Sequence, residues 1–195
     1  MFTRILLLLS LIVATQPLFA GPDVGSSILV SVPDQKLVLL ENGCRMAEYP
    51  ISTSKYGLGD RFGSYATPTG SMEIAQKIGG GYPIGAVFKN RQPTGEVLRP
   101  NAPGRDPIVT RIIWLRGLDA SSRNAFSRNI YIHGTPVERL IGRPASYGCI
   151  RMRSKDIVDL YNRVGVGARV NVSTSPVHRA IFSFAATTPG RGSAG

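Results

Sequence analysis

The chain has 195 residues, enough for one domain with a sizeable core. Its 43% hydrophobic and 18% charged residues exclude a disordered polymer. The formal charge of +11 suits an anionic polymer or lipid surface, while no aromatic-interleaved basic run or nucleic-acid motif supports a nucleic-acid partner.

Residues 1–20 read as a secretory signal peptide: a positive Met1–Arg4, an apolar run from Ile5 to Phe19, and a small Ala20 at the cleavage point. Pro17 and the short apolar core argue against a spanning helix; an uncleaved anchor is the alternative. That leader implies export, and its removal takes only Arg4 from the charge. No cysteine near Ala20 offers a lipid anchor, and no later stretch is apolar enough to span a bilayer.

Ile28, Val30 and Val32 alternate, and Leu37-Val38-Leu39-Leu40 follows after a Pro33-Asp34 turn. Asn42-Gly43 then signals a hairpin. Cys44 to Ser52 is the return strand, with Cys44 expected as a buried, inert thiol. Ser52–Gly70 is rich in Ser, Thr and Gly, either a rim of hydroxyls facing a substrate or an ordinary polar loop. Ser71–Ile78 returns to strand. Residues 79–107 hold six glycines and five prolines with little periodicity, and read as a functional flap or a surface insertion. Ile108–Leu115 is a strand with Trp114 in the core, and Asp119–Arg128 a loop or short helix. Ser154 is the expected N-cap of a helix carrying Ile157, Leu160, Tyr161 and Val164, ended by Gly165. Arg169–Val172 is a last strand. Residues 175–195 read as a flexible tail holding a surface histidine, His178. Strands joined by Gly/Pro loops predict a mainly β fold, a sandwich of mixed sheets with one or two short helices.

The chemistry concentrates between Tyr131 and Arg151. His133 stands at the exit of an alternating strand, and Cys149 follows a Ser-Tyr-Gly loop, with a helix expected just after it. A thiol at a helix start is biased toward thiolate, and a histidine beside it could act as base and then acid. Spacing alone favours reading the two as unrelated core residues, because a free cysteine is usually buried. Two cysteines in 195 residues make no disulfide framework. Cys44, His133, Cys149 and His178 fit no compact zinc spacing, so neither a metal nor a cofactor is expected.

The order IHGT, a gap, then S-x-G-C-I-R resembles the active-site signature of the L,D-transpeptidases, or YkuD-type domains. SVPDQKLVLLENG, YPISTSK and ATPTG resemble that family's opening hairpin and substrate-side loops, so the likeness covers residues 26–174. It implies a YkuD-like β-sandwich acting outside the membrane on peptidoglycan stem peptides, with Cys149 as nucleophile and His133 as general base and acid. The Gly134 carbonyl would orient the imidazole. Gly148, Tyr147, Ser146 and Arg151 would serve the oxyanion and substrate, Arg151 holding a loop or a carboxylate unless it is simply solvated. The acceptor would be a second stem, a lipoprotein lysine or a free D-amino acid, and carbapenem-type inhibitors would acylate the thiol. Tyr147 replaces the histidine that the family often carries there. An L,D-carboxypeptidase and a catalytically weak peptidoglycan-binding module are the rival readings.

Overall fold

A computed structural model describes residue 23 and residues 25–187. The leader read over residues 1–20 and the tail beyond 187 lie outside them. In chain order the strands are β1 (Ser26–Ser31), β2 (Lys36–Glu41), β3 (Cys44–Ser52), β4 (Gly70–Ile78), β5 (Ala86–Lys89), β6 (Gln92–Val97), β7 (Ile108–Gly117), β8 (Tyr131–Gly134), β9 (Ile150–Met152) and β10 (Arg169–Ser173). The helices are α1 (Ser154–Arg163) and α2 (Val177–Thr187), with a 3-10 turn at Glu138–Leu140.

The strands form one sheet in the order β4-β10-β1-β2-β3-β9-β8-β7-β5-β6, and β4 also pairs with β7. That last pairing closes eight strands into a ring and leaves β5–β6 as an outlying hairpin. The fold is therefore mainly β, as expected, in the form of a barrel-like sandwich. Only β1–β10 and β8–β9 run parallel.

Period-2 alternation explains how β1 and β2 are shared between two layers. Ile28, Val30, Leu37 and Leu39 point into the main core with Ile51, Ile74, Ile113, Ile132 and Ile150. Leu29, Val38 and Leu40 point out, where Val177 and Ala180 of α2 cover them. The stretch read as a frayed tail from 175 is thus helical to Thr187. A strand with four consecutive apolar residues needs cover on both faces, and Leu37–Leu40 already carried that demand. His178 is exposed, as expected.

Asn42 and Gly43 have φ of +50° and +80°, a left-handed pair that matches the twist of a two-residue hairpin. Cys44, at the mouth of that turn opposite Glu41, is exposed rather than buried. The segment 79–107 is not structureless: Asn90 and Arg91, at φ +51° and +67°, make a second such turn and zip β5 to β6. Local glycine and proline content masked that hairpin. Ser154 is the first helical residue of α1, not its cap. Its N–H donates to the Glu138 carboxylate at 2.8 Å, which supplies the anion a helix start favours. The helix ends at Arg163, two residues before Gly165.

Candidate active site

His133 lies in β8 and Cys149 immediately precedes β9. The two strands are parallel neighbours in the register Ile132↔Ile150 and His133↔Arg151. Ile132 and Ile150 are fully buried in the main core, so the pleat turns His133 and Arg151 to the other face of the sheet. Cys149 is on that face too, packed beside Tyr131, Trp114 and Phe126. Thiol and imidazole are thereby set two register positions apart on adjacent strands, on one face, although fifteen residues of chain separate them.

The expected helix start beside the thiol is absent. β9 intervenes, and α1 begins at Ser154. Without the helix end, desolvation dominates and pushes the Cys149 thiol up to about 11, against smaller opposing effects from the Tyr131 backbone, Arg151 and Arg128. The S–H donates to the Asn129 carbonyl at 3.5 Å. His133 is buried, and burial drives its imidazole down to about 4; the Arg151 charge adds to this, while the Gly134 carbonyl and Asp106 oppose it. Both displacements favour a protonated thiol beside a neutral imidazole at rest, the push on the thiol being the weaker of the two because Cys149 is only half-buried.

His133 Nδ1 lies 2.8 Å from the Gly134 carbonyl oxygen. A carbonyl can only accept, so Nδ1 carries the proton and Nε2 the lone pair. Gly134 is held to glycine by packing: a Cβ there would sit 2.6 Å from the Val109 carbonyl oxygen of β7. Gly148 has φ +118°, and a Cβ would press on the carbonyls of Ala66 and Tyr65. Both glycines serve backbone approach within the protein.

Ser146 is buried and organises the loop that leads to Cys149. Its hydroxyl donates to the Cys149 carbonyl at 2.5 Å and accepts from the Gly148 N–H at 3.2 Å. The Gly148 amide is therefore engaged within the loop. Arg151 is buried and ion-paired to Asp106 at 2.7 Å, so it is not solvated. Asp106 also accepts from the Thr135 hydroxyl at 2.6 Å, which ties the segment before β7 to the turn after His133.

Four of the hydroxyls of the Ser52–Gly70 segment face inward rather than toward a substrate. Ser52, Thr53, Ser54 and Thr67 are all buried. Thr67 accepts from the Ser54 N–H and donates to the Gly148 carbonyl, each at 3.0 Å. Replacing Thr67 with valine keeps the shape and removes the hydroxyl, stranding one donor and one acceptor. The expected cost is about 1–3 kcal/mol, read by denaturant unfolding, with slower thiol acylation because Gly148 loses its tether.

What that segment does expose is aromatic. Tyr56 and Tyr65 stand in the open with Tyr147, ring centroids 5.5–6.1 Å apart. Arg128 holds the segment from below. It is buried against Asp60 and donates to the carbonyls of Gly59 and Ala66. Asp60, Thr67, Asp106 and Arg128 all bear on the nucleophile loop, and none was singled out from the sequence. Only Thr67 lay in a motif, the ATPTG segment. Among the described residues no group of three or more His, Cys, Asp or Glu gathers as a metal ligand set.

The family described as YkuD, L,D-transpeptidase catalytic domain, matches residues 25–172. The "Probable L,D-transpeptidase YcfS" of Escherichia coli (strain K12) is 26% identical over 163 residues, 77% of this chain and 48% of that protein. The "Putative L,D-transpeptidase YkuD" of Bacillus subtilis (strain 168) is 32% identical over 113 residues, 56% of this chain and 63% of its own. The chain thus spans less than two thirds of the length of these relatives. Among solved structures, L,D-transpeptidase 3 from Mycobacterium tuberculosis in complex with a faropenem-derived adduct superposes with a TM-score of 0.51. It is 17% identical and covers 76% of this chain and 60% of that one, a likeness of fold.

Proposed function

The chain belongs to the L,D-transpeptidase catalytic-domain family, and on that premise we propose that it is an exported cysteine acyltransferase of peptidoglycan stem tetrapeptides. Residues 26–174 would be the catalytic domain, delivered outside the membrane by the leader at 1–20. The observation that carries the reading is the bond between His133 Nδ1 and the Gly134 carbonyl. It leaves Nε2 as the base on the face of the sheet that also presents Cys149.

In the first half-reaction Nε2 takes the thiol proton as Sγ attacks the carbonyl that precedes the terminal D-alanine. Because the resting thiol is protonated, deprotonation and attack are coupled. The Cys149 N–H faces the developing oxyanion. His133 then returns the proton to the departing D-alanine nitrogen, and a thioester remains. In the second half an amine attacks the thioester, Nε2 takes its proton, and the thiol is restored. A thioester keeps the acyl group activated, so crosslinking needs no nucleotide outside the cell. A second stem, a lipoprotein lysine or a D-amino acid would serve as the amine; water would give a carboxypeptidase. The relative with a faropenem-derived adduct supports extending β-lactam sensitivity to this thiol, and carbapenems are the proposed inhibitors.

Mature protein incubated with purified disaccharide-tetrapeptide, beside a Cys149→Ala control, decides by mass spectrometry. Crosslinked dimers made only by the intact protein are expected, together with a carbapenem adduct on Cys149. Tripeptide without dimers would assign the carboxypeptidase instead. No product and no adduct would overturn the reading.

A further inference from the structure

The cations around the thiol fall into two kinds. Arg151 and Arg128 are buried and neutralised by Asp106 and Asp60. Lys55 and Arg91 pair with no carboxylate among the described residues. Each is held by aromatic rings instead. Lys55 Nζ sits 4.5 Å from the Tyr147 ring centroid and 5.2 Å from that of Tyr56, and donates to the Tyr147 hydroxyl at 3.1 Å. The Arg91 guanidinium carbon lies 4.6 Å from the Trp114 centroid, and Nη1 donates to the Tyr131 hydroxyl and Asn129 Oδ1, both at 3.1 Å.

Both are tied to the thiol's own surroundings. The Lys55 N–H donates to the Ser146 carbonyl at 3.1 Å, and its ammonium rests on the residue two before Cys149. Arg91 grips Asn129, whose carbonyl receives the Cys149 S–H. The two arrive from separate elements, the loop after β3 and the β5–β6 turn. A ring can hold a cation without cancelling its charge, and a side chain already held loses less freedom when a ligand arrives.

Resting on the reading that stem peptides are the substrate, we propose that Lys55 and Arg91 form a two-point carboxylate clamp that selects donor peptides with free carboxylates around the scissile amide. A tetrapeptide ending in D-alanine carries one carboxylate beyond that amide, and acidic stem residues place another before it. With Asp60 and Asp106 occupied, no acidic group of the loop competes for these two cations.

The clamp is tested by calorimetry on the Cys149→Ala protein with a stem tetrapeptide whose carboxylates are either free or amidated. Lys55→Gln and Arg91→Gln, each added to that background, should weaken the free peptide about three- to tenfold. Lys55→Arg should restore it. Amidation should cost the parent a similar factor and cost the matching glutamine variant little, the coupling expected of a direct contact. Equal affinities throughout, an amidation loss undiminished in both glutamine variants, or no binding by the parent would each overturn the clamp. Turnover by the intact protein is scored apart. Weakened binding without turnover would keep the clamp and remove the transpeptidase reading; turnover with unaffected binding would do the reverse.

Discussion

Asp60→Ala should destabilise the protein by about 3–5 kcal/mol, because it leaves a buried guanidinium without its counter-charge. Arg128 and Asp60 are both nearly inaccessible, their side chains 6% and 9% exposed. Asp60 also accepts the Asn124 N–H at 2.7 Å, so its loss frees a second donor. In a chain of this size the melting temperature should fall on the order of 10 °C, measured by thermal unfolding. A double variant, Asp60→Leu with Arg128→Met, should recover much of that stability, since apolar replacement of a buried pair is often neutral. It should not recover activity. Arg128 also holds the Gly59 and Ala66 carbonyls, and the segment they belong to carries Thr67, the tether of Gly148. A double variant as active as the original would show that the segment positions nothing.

His133→Gln is expected to lower the acylation rate by about 10²–10⁴-fold, the usual worth of a positioned base. The pH dependence follows from the two displaced protonation equilibria. Below about 4 the imidazole carries a proton and the rate falls; above that the base is free. The thiol keeps its proton to about 11, so a plateau should run through neutrality well into alkali. A resting thiolate–imidazolium pair would lose activity sooner in base and would absorb as thiolate at pH 7. The same residue sets an acid limb of stability. Between its ordinary 6.5 and about 4, the unfolded chain takes up a proton that the folded His133 refuses. Stability is therefore full above 6.5 and declines as acid is added, by about 3 kcal/mol in all at pH 4. Urea unfolding at stepped pH should show that decline in the parent and lack it in His133→Gln.

Local chemistry made the strands legible. Alternation at Ile28 and Val30, the Asn42-Gly43 turn and the helical spacing of Ile157 and Leu160 are short-range signals, and each element formed there, although Val32 falls in the turn after β1 and α1 stops before Val164. The stretch from His133 to Cys149 was equally readable, because its motif is contiguous. What escaped was set by partners outside any motif. Asp106 meets Arg151, Asp60 meets Arg128, and Glu138 accepts the N–H of Ser154, which was itself expected to be the cap. The two ion pairs join residues 45 and 68 positions apart, and Glu138 belongs to no motif that ties it to the helix start. Cys44 was misplaced because a hairpin mouth turns its side chain to solvent, and 79–107 because glycine and proline hid a left-handed turn at Asn90-Arg91. The hydroxyls near Thr67 suggested a wet rim, whereas their burial makes them scaffolding.

The ring of strands carries a consequence for how the protein comes to life. β9 is three residues long and bonds to β3 on one side and β8 on the other, so Ser52, Arg151 and His133 stand in one row. So short a strand cannot persist alone, and while β8 is the strand just before it, β3 lies about a hundred residues back at Ser52. Closing such distant loops is entropically slow, and folds dominated by remote pairings are slow folders. Nearly all the hairpins can therefore form while His133 and Cys149 are still strangers. A slip of one residue in β9 would turn Cys149 toward the wrong side of the sheet. Assembly of the candidate site is in this sense a late property of the chain, reached only when its shortest strand is seated between the strand before it and the remote β3.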